Sequence, residues 1–196
     1  MSSAPVTTTT LALKEWGAVA HALLDGRQTL LLRKGGIHEK VFTVGERAGG
    51  FVLFPTVAHS HAERVRPEHA ELLEAGAADV DEEEGTFVVR CGMRVVEAVP
   101  VVRPEGLAEI ADLHIWTAES VKADRLDFRP RHALQALVVR AVELPEPVRL
   151  RRIDAYGGCT SWVDLPLAWD GVAGRPVHPG QRLHDDAGRV RQAVGP

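Results

Sequence analysis

The chain has 196 residues, enough for one domain with a substantial core and too few for two of ordinary size. Hydrophobic residues make up 45% and charged residues 26%, which excludes a disordered or collagen-like chain, and no run approaches the roughly 18 apolar residues of a membrane span. The net charge of −4 covers 19 Arg against 4 Lys, with no Asn at all, a bias that a high-GC genome writes through its codons.

Residues 1–10 are small and hydroxylated and read as a disordered lead without the basic start and apolar run of a secretory signal. From Leu13 the spacing of Leu13, Trp16, Ala20, Leu23 and Leu24 predicts a helix that Gly26 stops. Gln28 to Lys34 reads as a strand entering the pair Gly35–Gly36, and Phe51 to Phe54 as a second strand. Pro67 opens a helix through Leu73, and the acidic run Asp79–Glu84 reads as a solvated loop. Thr86 to Val102 is apolar and β-branched, broken at Cys91–Gly92, and reads as two strands or one bulged strand.

Pro104 starts a short helix ending near Asp112, Leu113–Trp116 reads as a short strand, and Ala118–Leu126 as a charged helix. Ala133 to Val142 is the clearest strand, ended by Pro145 and Pro147. Beyond Pro166 the density of Gly and Pro predicts an irregular tail over 167–196, with one turn at Asp185–Gly188. Helices and strands are interspersed without βαβ repeats. The expected architecture is therefore a single α+β domain over 11–166, with a mixed, partly barrel-like sheet and several flanking short helices. Two cysteines, Cys91 and Cys159, cannot build a disulfide framework and fit reduced thiols in a cytoplasmic protein.

Three segments carry a family resemblance: Leu11–Glu39 with its KEW and LLLRKGGIHE, Phe51–His61, and Leu113–Pro166 with its FRP and YGGC-SWV. Their order and spacing resemble the bacterial family catalogued as domain of unknown function 1802. The resemblance implies no assigned activity and no catalytic residue. Some members are associated with helicase-type restriction domains, which implies a restriction or defence setting. Gly26, Thr29 and Arg33 form a shorter pattern similar to the opening of the ASCH domains, relatives of the PUA RNA-binding fold.

Several groups of residues offer chemistry. Arg33-Lys34-Gly35-Gly36 sets two cations beside glycines whose N–H groups can cradle a phosphate, and a tight turn with a basic rim explains the same residues. His59-x-His61, with His38 and His114 as further imidazoles, is a candidate for a divalent metal, although no third ligand stands at a diagnostic spacing. Cys159 after two glycines is a candidate nucleophile, with His114 or His132 as base, and a buried structural thiol is the competing reading. Carboxylates and Lys in the spacing of a nuclease core are missing.

The stretch from Val121 to Arg152 holds eight basic and four acidic residues, a local excess of positive charge in an acidic protein. There Arg125, Arg129 and Arg131 flank Phe128, with Trp116 upstream, a mixture suited to phosphate contact and base stacking, or to an ordinary salt-bridged face. The expected function is a nucleic-acid-associated binding module for RNA or DNA, with a helicase-type restriction protein as a further partner and no membrane. Its contacts would be Arg33, Lys34, Gly35, Gly36, Trp116, Arg125, Phe128, Arg129 and Arg131. The alternatives are a metal-dependent hydrolase or diverged nuclease using His59 and His61, and a protein-docking subunit without catalysis. The sequence requires no cofactor, and a divalent metal is compatible with it.

Overall fold

In the computed structural model, which describes residues 8–34, 49–57, 62–158 and 160–196, the chain begins with a strand where helical spacing predicts a helix. Strand β1 (Thr10–Trp16) runs straight into helix α1 (Gly17–Leu24), so only the second half of the expected helix is helical. The apolar spacing is compatible with both states, and β1 is decided by its neighbours: residues 52–56 on one edge and residues 162–165 on the other. Strands β2 (Leu30–Lys34) and β3 (Phe51–Thr56) follow. A 3-10 turn at Pro67–His69 then leads into helix α2 (Glu71–Ala77), where α1 and α2 meet at Gly17 and Gly76. A Cβ on either glycine would collide with the other helix's backbone.

The short β4 (Val80–Asp81) leads into β5 (Thr86–Pro100), and a 3-10 segment over Pro104–Leu113 follows. Leu113–Trp116 makes only an isolated bridge, Trp116 to Val65, and not the short strand expected. Helix α3 (Ala118–Val121) continues as a π-helical run over Lys122–Asp127. Strand β6 (Leu134–Arg151) does not stop at its prolines as expected. Val89 pairs with Val148 and Cys91 with Glu143, so residues 144–147 bulge opposite Arg90, where no ladder hydrogen bond is asked of Pro145 or Pro147. Strands β7 (Trp162–Leu165) and β8 (Arg175–Pro176) complete the described set.

The strands form one curled, half-barrel sheet in the order β2-β6-β5-β3-β1-β7, with β4 beside β5 and β8 beside β6. The pair β1–β3 is parallel and the rest are antiparallel, so the sheet is mixed and the domain is α+β, as the sequence pattern predicts. Both faces are covered. Phe51 and Leu53 enter the larger core with α1 and the C-terminal helix, whereas Val52 and Phe54 enter a smaller one with Phe87 and Tyr156. A strand buried on both sides reads as an unbroken apolar run, which is what Phe51–Phe54 shows.

The end of the chain is not an irregular tail. Residues Gly180–Val194 form helix α4, whose Ala187, Val190, Ala193 and Val194 pack into the larger core, and Leu183 is buried as well. Gly106 of the 3-10 segment lies against the Ala193 carbonyl with no room for a Cβ, and Arg103 donates to the terminal carbonyl of Gln192 at 2.6 Å. The acidic run likewise departs from a solvated loop at its first residue. Asp79 is 3% exposed and accepts hydrogen bonds from His21 Nε2 at 2.8 Å and Arg90 Nε at 2.7 Å, while Glu82, Glu83 and Glu84 are exposed.

Two stability outcomes follow from these contacts. Val190→Ala is expected to lower the unfolding free energy by about 2 kcal/mol in urea titration, where a solvated tail would give no change. Burial raises the Asp79 carboxyl pKa, and the hydrogen bonds from His21 and Arg90 outweigh it, so the net shift is downward. The ionised form thus stabilises the fold above the ordinary aspartate range, and that contribution is lost as pH falls through the depressed folded-state value. Asp79→Asn is expected to cost about 2 kcal/mol near neutrality, and the gap to the wild type should close in acid.

Candidate functional site

The conspicuous surface features gather on one excursion, the residues 101–133 that leave the sheet at Pro100 and rejoin it beside Gln135. Thr117 opens α3 by accepting the Ser120 N–H at 3.2 Å, and the Ser120 hydroxyl donates to the Arg64 carbonyl at 3.0 Å. The following run is π-helical, closed by the Phe128 N–H on the Ala123 carbonyl at 3.2 Å, a rare geometry often found at functional positions. Its final carbonyls point to Lys34 at the end of β2, whose ammonium donates to Arg125 O at 2.6 Å, Leu126 O at 3.1 Å and Phe128 O at 2.6 Å. Burial lowers the pKa of that ammonium, with Asp127 opposing the shift.

Beyond the π run the chain turns sharply. Arg129 has φ 49°, and among the described residues it alone is a non-glycine in the left-handed region. The His132 N–H closes on the Arg129 carbonyl at 2.9 Å, with Pro130 in the position of the turn that its ring favours. Phe128 is 54% exposed, with the Arg129 guanidinium 4.9 Å from its ring centroid. Arg131 is exposed and makes no ion pair or hydrogen bond among the described residues.

The other expected contacts sit deeper. Arg33 donates to Glu15 Oε2 at 3.0 Å, and that carboxylate also accepts the Trp16 N–H at 3.0 Å. Arg125 is half-buried with its guanidinium 5.9 Å from the Trp116 ring, and Trp116 is buried edge-on against Trp16 at 4.9 Å. Arg33 and Lys34 are thus engaged on internal partners. Gly35, Gly36, His38, His59, His61 and Cys159 lie outside the described residues. The described residues of the ASCH-like pattern have structural roles: Gly26 has φ 76°, and Thr29 Oγ1 donates to buried Asp186 at 2.9 Å. No group of three or more His, Cys, Asp or Glu able to hold a metal occurs among the described residues. Cys91 is fully buried and its thiol is pushed up to about 12, which leaves it inert as a nucleophile.

One site feature has no signal in the sequence. Between the 3-10 segment and the α3–π helix lies a cavity of about 360 Å³, walled by Leu107, Ala108, Ala111, Val121 and Leu126, with Arg66 and Lys122 among its polar residues. His114 lines it and is 2% exposed. Its Nδ1 accepts the Trp116 N–H at 3.2 Å, so the neutral ring carries its proton on Nε2, which has no partner among the described residues. The Arg66 guanidinium fixes the floor through the carbonyls of Ala111 at 2.6 Å and His114 at 2.7 Å. A second, shallower cavity of about 300 Å³ adjoins it around Pro104 and Leu126 and is lined by Lys34, Arg125, Arg131 and His132. The walls come from segments far apart in sequence pattern, so no motif announces them.

Burial first, and the Arg66 guanidinium second, push the His114 pKa from 6.5 to about 4. The unfolded chain therefore takes up a proton before the folded one does, and stability falls as pH drops from 6.5 towards 4. The expected loss across that window is about 3 kcal/mol. Urea unfolding of the wild type and His114→Gln, near neutrality and again in mild acid, checks it: the variant should lack this part of the pH dependence.

No helix among the described residues is long and apolar enough to cross a membrane. No curated protein and no solved structure matches the chain. The family described as Domain of unknown function (DUF1802) matches residues 12–188, nearly the whole of the fold, and the chain belongs to that family.

Proposed function

We propose that the protein is a nucleic-acid-associated binding module whose contact surface is the turn Phe128–His132. The observation that carries this reading is the exposed Phe128 ring with Arg129 stacked on it and Arg131, unpaired among the described residues, beside it. A flat ring offers a stacking platform for a base, and an arginine fork without an internal carboxylate is available to phosphate. Lys34 supports the turn from beneath, Arg33 and Arg125 are engaged deeper in the fold, and direct phosphate contact falls to Arg129 and Arg131. The left-handed backbone at Arg129 fits this role, since strain kept in a non-glycine residue tends to accompany binding sites. A cytoplasmic setting and a helicase-type restriction protein as partner belong to the same proposal, as what the family resemblance implies.

Fluorescence anisotropy with labelled single-stranded RNA and DNA over a salt series tests the reading. The wild type should bind with an affinity that falls as salt rises. Arg129→Ala should weaken all sequences alike and reduce the salt slope by about one. Phe128→Ala should cost about 1–3 kcal/mol of binding with little change in that slope. Absence of binding at the lowest salt would overturn the proposal.

A further inference from the structure

The cavity beside the turn opens to solvent and is too small for a folded partner. Ligand pockets run from about 300 to 1,000 Å³, so its volume of about 360 Å³ suits one small ring system. Its walls are largely aliphatic, and the His114 imidazole that lines it carries an Nε2–H with no partner among the described residues. An N–H that no described residue accepts, on a side chain lining an open cavity, is available to an acceptor that arrives with a ligand. The donor is fixed in identity as well as place. Trp116 holds Nδ1 as acceptor, so the group offered to the cavity is an N–H and never a lone pair.

We infer that this cavity is a nucleobase pocket, taking one flat heteroaromatic base whose ring nitrogen or exocyclic oxygen accepts the His114 Nε2–H. This rests on the nucleic-acid reading for its choice among flat heterocycles. Pro104 and Leu126 wall both this cavity and the basic one that holds Arg131. A strand whose phosphate meets Arg131 therefore has an apolar recess with a single directed donor next to it. Taking an unstacked base out of water into such a recess, with an edge hydrogen bond, is the usual means of holding a splayed base. The same chemistry would accept a free nucleoside, and the two sources are separable by experiment.

The full chain is titrated with labelled single-stranded octanucleotides of RNA and of DNA, with the same oligonucleotides carrying abasic positions, and with free adenosine and uridine followed by saturation-transfer NMR. Two variants probe the pocket: His114→Phe removes the donor at similar volume, and Ala108→Trp fills the cavity from an exposed position that a folded chain tolerates. An unchanged melting curve for Ala108→Trp shows that its effect is local. The expected result is a loss of about tenfold in oligonucleotide affinity for each variant, with abasic oligonucleotides binding wild type and variants alike. Saturation transfer to free nucleosides that Ala108→Trp abolishes, without any oligonucleotide binding, would support the pocket with a free nucleoside as ligand and remove the nucleic-acid reading. Oligonucleotide binding that Arg129→Ala weakens but both pocket variants leave untouched would overturn the pocket and leave the turn as the contact surface. No binding of oligonucleotide or nucleoside would overturn both.

Discussion

Everything distinctive about this molecule hangs from the pairing of β5 with β6. At 15 and 18 residues these strands are about three times the usual length, and they stay paired from Thr86–Arg151 at one end to Pro100–Gln135 at the other. Two register shifts, between Val89 and Cys91 and between Val95 and Glu97, bend the ribbon and help curl the sheet. The far end of the ribbon is where the 101–133 excursion is mounted, so cavity, π-helical run and basic turn are carried on one rigid stem. Binding groups on a connection positioned by a fixed scaffold are a common division of labour in proteins.

The arginine excess looks different once each guanidinium is followed to its partner. Arg33 is spent on Glu15, Arg64 on Asp124, Arg90 on Asp79, Arg189 on Asp112, and Arg175 on Glu143. Others tie off backbone: Arg66 holds the carbonyls of Ala111 and His114, and Arg103 those at the end of α4. Arginine suits this work because its planar fork satisfies two or three acceptors at once and keeps its charge when half-buried. Positive charge density along the chain is therefore a poor guide to positive surface. What distinguishes Arg129 and Arg131 is their place on a proline-set turn, where neither pairs with an acidic side chain among the described residues.

The run at 86–102 was legible as two strands or one bulged strand because its apolar, β-branched composition continues across the break, and the apolar block 51–54 was legible because a doubly buried strand has nothing polar in it. The misreadings share one cause, local pattern outvoted by tertiary partners. Leu13 and Trp16 have helical spacing, but Leu13 lies between two strands and Trp16 pairs with Thr56 of β3. Pro145 and Pro147 are strand breakers in general, yet they fall where the ladder asks for no N–H. At the C-terminus the spacing of Leu183, Ala187, Val190 and Val194 is a helical stripe in plain view, masked by the Gly and Pro that precede it. Of the candidate site, the FRP turn could be found as basic residues around an aromatic one. The cavity could not, because His114 acquires its meaning from Trp116, Arg66 and Leu107, none of which forms a spaced motif with it.

The ammonium of Lys34, set on three carbonyls at the end of the π-helical run, fastens the root of the turn to the edge strand of the sheet. A turn fastened in this way has already surrendered its conformational freedom during folding. Whatever docks against Phe128 and Arg129 is spared the ordering entropy that a loose loop would charge on association. Contact with a flexible, single-stranded polymer is thereby made asymmetric: the polymer alone is disciplined, against a template that is finished beforehand.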